Sequence, residues 1–166
     1  PDEMYRLYTE ELYKFDQLYR HFCVNADVAE SQGKDFLKSL RSEVRAAYEN
    51  WFLVQVGLKW DSCIGGGLLN DWKIQGVDNQ YEFFTKQIAP HLRKAENRRS
   101  FVVISDAFRY EAATELTKDL NGEYRFQAEI SSQLSVVPSY TALGMASLLP
   151  HKQLTYTDQG DVLADG

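Results

Sequence analysis

The sequence predicts an α/β chain in which an N-terminal helical region leads into the first part of an α/β domain. Three observations predict this. Two long stretches keep apolar residues at alternating steps of three and four, the spacing of one helix face. Phe101, Val102, Val103 and Ile104 then form an unbroken apolar run rich in β-branched residues, as in a strand covered on both faces. A helical spacing and an alternating segment follow that run, giving the order strand, helix, strand.

The first helix is expected from Pro1 to Phe22, with Tyr5, Tyr8, Leu12, Phe15, Tyr19 and Phe22 on one side. Pro1 and Asp2 suit its first turn, where a missing N–H costs nothing and a carboxylate meets the positive end of the dipole. The second helix carries Leu37, Leu40, Val44, Ala47, Trp51, Val54 and Leu58. Gly33 and Asp35 mark the break before it, and Ser62 to Gly67, with three consecutive glycines, the stop. Two such helices on a short connection should pack antiparallel. Trp60 and Trp72 flank the glycine loop and are expected to pack it against the helices. A third helix, Asn79 to Arg93, aligns Tyr81, Phe84, Ile88 and Leu92, and Pro90 within it should force a kink or a new turn.

From Phe101 to Asp106 the sequence predicts a buried strand ending in a carboxylate. Phe108, Ala112, Leu116 and Leu120 continue as a helix that Asn121 and Gly122 close. Tyr124 to Ile130 alternates as a strand does. Thr141 to Leu149 reads as a last helix between Pro138 and Pro150, and the polar remainder after His151 as loop or edge structure. The organisation is therefore a helical region, residues 1–98, and an incomplete α/β domain, residues 99–166.

Composition restricts the function classes. A formal net charge of -6 and a pI near 5.1 argue against direct nucleic-acid binding by this segment, because phosphate backbones are held mainly by Lys and Arg. The one basic cluster, Arg93, Lys94, Arg98 and Arg99, reads as a solvated helix end. Cys23 and Cys63 stand in no zinc-binding spacing, and no apolar run approaches a membrane span. With no signal peptide either, the expectation is a cytoplasmic protein with reduced thiols and no membrane partner. Pro1 and Gly166 lack natural terminal character, which reads as a fragment.

Ligands of open α/β sheets bind outside the carboxyl ends of strands, where Asp106 falls. An aspartate there is equally a metal ligand or the N-cap of a helix beginning near Ala107. Arg109 is a candidate for holding a phosphate, weighed against a structural ion pair beside Asp106. Ser139, Tyr140 and Thr141 precede an apolar helix, so a hydroxyl lies where an anion would be stabilised; Ser139 or Thr141 as a simple cap is the competing reading.

Together, Val103-Ile-Ser-Asp-Ala-Phe-Arg-Tyr-Glu111 and Val137-Pro-Ser-Tyr-Thr-Ala-Leu-Gly-Met-Ala-Ser-Leu-Leu-Pro-His151 resemble the opening motifs of the PglZ family, a branch of the alkaline phosphatase superfamily. Tyr48-Glu-Asn-Trp-Phe-Leu53, Trp72-Lys-Ile-Gln-Gly76 and Asn79-Gln-Tyr-Glu-Phe-Phe84 are similar to the helical region of its type A members, which belong to BREX phage-defence systems. The resemblance implies an alkaline-phosphatase-like domain and a site with two divalent metals, usually zinc, hydrolysing a phosphodiester or phosphomonoester substrate. It maps a metal ligand onto Asp106, and the nucleophile, itself a metal ligand, onto Thr141, with Ser139 as runner-up. The remaining Asp and His ligands of such a site would lie outside this chain, so the fragment alone is expected to be inactive. His151 reads as a loop or capping residue, and His21 and His91 have no carboxylates at ligand spacing.

The alternative is a non-catalytic scaffold among other subunits of a defence complex, motivated by the aromatic helical half. A nucleotide pocket lacks the glycine-rich turn it needs after the Phe101 strand.

Overall fold

The computed structural model describes residues 1–32, 37–94, 99–123 and 126–165. Gly33, Asp35, Arg98, Tyr124 and Arg125, on which parts of the expectations fall, lie outside them, as does the side chain of Lys94. In chain order the elements are as follows. Helix α1 joins Asp2–Leu7, a π-helical Tyr8–Leu12 and Tyr13–Ser31. Helix α2 joins Leu37–Ala46, a π-helical Ala47–Phe52 and Leu53–Gly65. Strand β1, Asp78–Asn79, precedes α3, which joins the 3-10 turn Gln80–Glu82, the π-helical Phe84–Ile88 and Ala89–Lys94. Then come α4, Tyr110–Glu123; β2, Gln133–Leu134; α5, Thr141–Leu148; β3, Leu154–Tyr156; and β4, Val162–Ala164. Among the described residues no helix is long and apolar enough to cross a membrane. Cys23 and Cys63 are free thiols.

The chain forms two compact units, interleaved in sequence: Pro1–Trp72 with Arg109–Ile130, and Lys73–Phe108 with Ser131–Gly166. In the first, α1 and α2 pair as the spacing predicts. Tyr19 stacks on Tyr48 at 3.8 Å between ring centroids and Phe15 on Phe52 at 5.0 Å, while Arg41 reaches back to Asp27 at 2.6 Å. Later residues of α2 thus meet earlier residues of α1, the order of an antiparallel hairpin. Helix α1 runs past Phe22 to Ser31, because nothing in Cys23 to Ser31 breaks a helix. Trp60 and Trp72 meet edge to face at 6.4 Å beside the glycine turn, where Gly67 takes φ +113°, a conformation that costs glycine little.

Charged groups share the deepest layer of this unit with Ala26, Leu68 and Phe52. Asp16 is 2% exposed and Glu111 1%. Arg20 donates to both Glu111 oxygens, 2.9 to 3.0 Å away, and also to Glu115, whose other oxygen lies 3.0 Å from His21 Nε2. These pairs, with Tyr110 edge-on to Tyr13 at 5.3 Å, pack α4 on α1. Arg20 and His21 hold the Glu115 carboxyl below its usual range.

In the second unit β1 and β2 pair in parallel, Asp78 with Gln133 and Asn79 with Leu134. Ile74, Leu134, Val136 and Leu143 form the apolar core, with Asn79 and Ser147 buried among the polar groups. Asn79 opens α3 as a capping box, its own N–H donating to Glu82 Oε2 at 3.1 Å. The turns before Pro90 are π-helical, so the ring falls in the regular segment that starts afresh at Ala89. After His151 the chain makes the antiparallel hairpin β3–β4, with Leu154 opposite Ala164 and Tyr156 opposite Val162.

Two expected strands are corrected. Residues 101–104 pair with no strand among the described residues; Phe101 is 85% exposed, Val103 90% and Val102 46%. An apolar run specifies burial, yet a strand forms only where a neighbour accepts its backbone hydrogen bonds, and among the described residues none lies beside it. Residues 126–130 likewise join no sheet, and Phe126 is 67% exposed. Asn121 instead brackets Ala128, donating to its carbonyl and accepting from its N–H at 2.8 Å each. The parallel pairing of this chain is built from β1 and β2, segments whose apolar signal is weak.

Candidate metal and nucleophile site

Asp106 and Thr141, far apart in sequence, come together in the second unit. Thr141 Oγ1 lies 3.4 Å from Asp106 Oδ2 and donates toward it. The other carboxylate oxygen, Oδ1, accepts the N–H of Ala107 at 2.9 Å. Ala107 takes φ +55°, a left-handed turn that reverses the chain directly after the carboxylate. Both side chains of the pair are solvent-exposed, as a binding site requires.

The capping alternatives do not describe this geometry. Helix α4 begins at Tyr110, so Asp106 is not its N-cap. Tyr140 is the N-cap residue of α5, with extended φ -126° and ψ 158° and no side-chain capping bond. Thr141 is therefore the first helical residue, its hydroxyl directed at Asp106. Ser139 is exposed in the segment preceding the helix, after a cis Val137–Pro138 peptide.

Arg109 belongs to the first unit, and the ion pair considered for it exists with a different carboxylate. Its Nη2 lies 3.2 Å from Asp16 Oδ1 and donates to the Tyr48 hydroxyl at 3.1 Å. Asp16 also accepts from Tyr8 and Tyr48, each at 2.6 Å. Burial first, then the bond to Asp16, pushes both phenols above their usual range. Sequence reading passed over this cluster. Its one signal is an aspartate between Phe15 and Tyr19, on a helix otherwise read for its aromatic stripe. His151 behaves as a loop residue, its Nδ1 2.7 Å from the Leu149 carbonyl.

The Asp106–Thr141 pair fits part of a metal site. Two oxygens each about 2.0–2.2 Å from a tetrahedral zinc lie about 3.3–3.6 Å apart, which the observed separation matches. Carboxylate and hydroxyl oxygens are also suitable donors for zinc and harder divalent ions. Among the described residues no three His, Cys, Asp or Glu side chains converge as a ligand set.

The chain is of the mixed helix-and-strand class, and the Asp106 carboxylate, in a turn after a segment unpaired among the described residues, faces the hydroxyl at the start of α5. Residues 83–166 match the family described as the BREX system PglZ alkaline phosphatase-like domain, and the chain belongs to that family. It is 45% identical over 165 residues to the alkaline phosphatase-like protein BrxZ of Escherichia coli O9:H4 (strain HS), covering 98% of this chain and 19% of that protein. It is 36% identical over 162 residues to the alkaline phosphatase-like protein PglZ of Bacillus cereus (strain H3081.97), covering 98% of this chain and 18% of that protein. The chain thus spans about a fifth of the length of the relatives it matches. No solved structure matches it.

Proposed function

We propose that the intact protein is a metal-dependent phosphoesterase of a BREX phage-defence system, with Asp106 as a metal ligand and Thr141 as nucleophile and second ligand. The observation that carries this reading is the 3.4 Å approach of Thr141 Oγ1 to Asp106 Oδ2, made by the two segments whose motifs resemble the family. A divalent cation held there would supply the positive charge that lowers the pKa of a neighbouring alcohol and neutralises phosphoryl oxygens. Thr141 Oγ1, its proton passed to solvent, bonds to phosphorus as the ester P–O bond breaks, and the departing alkoxide takes up a proton from solvent in its place. A water then bonds to the phosphorus of the phosphothreonine, and the Thr141 O–P bond breaks to restore the hydroxyl. Placement at the first position of α5 adds unpaired N–H groups of the first turn, suited to oxygens that gain charge in the transition state. The remaining ligands belong to parts of the protein beyond this chain, and the physiological ester is a phosphodiester or phosphomonoester.

The test is turnover of bis(p-nitrophenyl) phosphate by the intact protein. Thr141→Ala should lower kcat by about a thousandfold or more while Ser139→Ala stays near the parent. Full activity in the double variant Ser139→Ala, Thr141→Ala, with metal content unchanged, would refute the assignment.

One observation favours a second, non-catalytic reading. Between α1 and α2 lies an apolar groove of about 360 Å³, lined by Phe15, Leu18, Tyr19, Phe22, Trp51 and Phe52. Leu18 and Trp51 are 66% and 62% exposed. A surface of this kind suits docking within a defence complex. An intact protein that binds no metal yet still assembles with its partners would favour that reading over the enzyme.

A further inference from the structure

Gln80 is a half-buried residue of the second unit, and both ends of its amide are committed to the segment that carries Thr141. Its Oε1 accepts the N–H of Val136 at 3.2 Å, and its Nε2 donates to the carbonyl of Gly144 at 3.0 Å. Val136 precedes Thr141 in sequence and Gly144 follows it, so one side chain clamps the segment from both sides.

The partners fix the amide's orientation: a backbone N–H needs an acceptor and a carbonyl needs a donor. Gln supplies both from one neutral head, which no hydrocarbon or carboxylate of its length does. The clamp has a rigid base as well. Asn79, directly before Gln80, pairs with Leu134 through β1–β2 and opens the capping box that holds Glu82. The 3-10 turn Gln80–Glu82 packs on α5. At the other end, Val136 is 8% exposed, and Ser147, fully buried, donates to the same Gly144 carbonyl at 2.7 Å.

We propose that Gln80 is the positioning residue for Thr141. It holds the first turn of α5 against the end of β2, so that the Thr141 hydroxyl meets Asp106. The inference rests on the hydrolase reading given above. A misplacement of a reacting group by about 1 Å is enough to lower turnover about a hundredfold, so loss of the clamp should be felt in kcat.

The experiment uses the intact protein with bis(p-nitrophenyl) phosphate and compares Gln80→Met, Gln80→Glu and Thr141→Ala. Metal content is measured for each, and circular dichroism establishes that each is folded at the assay temperature. Met keeps the length and removes both hydrogen bonds. Glu, ionised, keeps the acceptor for Val136 and turns a carboxylate toward the Gly144 carbonyl. The expected result is a fall in kcat of about tenfold or more in Gln80→Met, with KM within about twofold and metal content unchanged, and a fall at least as large in Gln80→Glu. If Gln80→Met does not fold, the kcat of Gln80→Glu decides. Variants that melt at lower temperature but keep the parent kcat when folded would overturn the proposal, because a purely structural clamp behaves that way. If Thr141→Ala is inactive and Gln80→Met is not impaired, the positioning role fails and the hydrolase stands. A fully active Thr141→Ala would instead remove the hydrolase reading itself.

Discussion

Asp16 shows how a buried charge is made tolerable by its neighbours. The carboxylate is 2% exposed and is met by two phenol hydroxyls at 2.6 Å and by the Arg109 guanidinium at 3.2 Å. Replacing it by alanine strands the two phenol hydroxyls, which water hydrates in the unfolded chain, and takes the ion-pair partner from half-exposed Arg109, which keeps its bond to Tyr48. Asp16→Ala should therefore destabilise this unit by about 3 kcal/mol in equilibrium urea unfolding, and a change below about 1 kcal/mol would contradict the role given to the cluster. At this scale the candidate site was legible where chemistry and motif coincide. Asp106 and Thr141 were singled out together, and their side chains meet. Asp16, Tyr8 and Gln80 were not: Tyr48 and Arg109 lie far from Asp16 in sequence, as Val136 and Gly144 do from Gln80, and the Tyr8–Asp16 bond, eight residues along one helix, lies within the aromatic stripe.

Among elements, helices were the more legible. The three-and-four spacing located α1 and α2, though each runs on to the nearest breaker rather than ending with its apolar stripe. The stripe of α2 is also less buried than its regularity implies, with Leu40, Trp51, Val54 and Leu58 each at least 45% exposed. Periodicity reports that a face is apolar, not that this chain alone covers it. The same physics explains the expected strand at Phe101 to Ile104. Alternate residues Phe101 and Val103 project almost wholly into solvent, and among the described residues the backbone has no neighbouring strand. Such a segment invites pairing between copies. Residues 1–166 expressed alone should self-associate in sedimentation velocity, and Phe101→Thr with Val103→Thr should shift the distribution toward monomer. Unaltered association in that double variant would place the sticky surface elsewhere.

For the whole molecule, the sequence conveyed the order of architecture, a helical region and then the start of an alkaline-phosphatase-like domain. It did not convey the interleaving of the two compact units, because α4 is claimed by α1 through Arg20, Glu111, Glu115 and His21, contacts that no local pattern encodes. The chain accounts for about a fifth of the length of its relatives. Its part of the proposed centre is accordingly two oxygen donors on a helix start and a turn, held in register by the second unit. The most direct measurement is the metal content of the purified intact protein and of its Asp106→Ala variant, by elemental analysis after dialysis. Stoichiometric zinc or another divalent metal in the parent, lost in whole or in large part in Asp106→Ala, is the predicted result; a parent that carries no metal, or a variant that keeps it all, would contradict the assignment of Asp106 and Thr141 as a metal site.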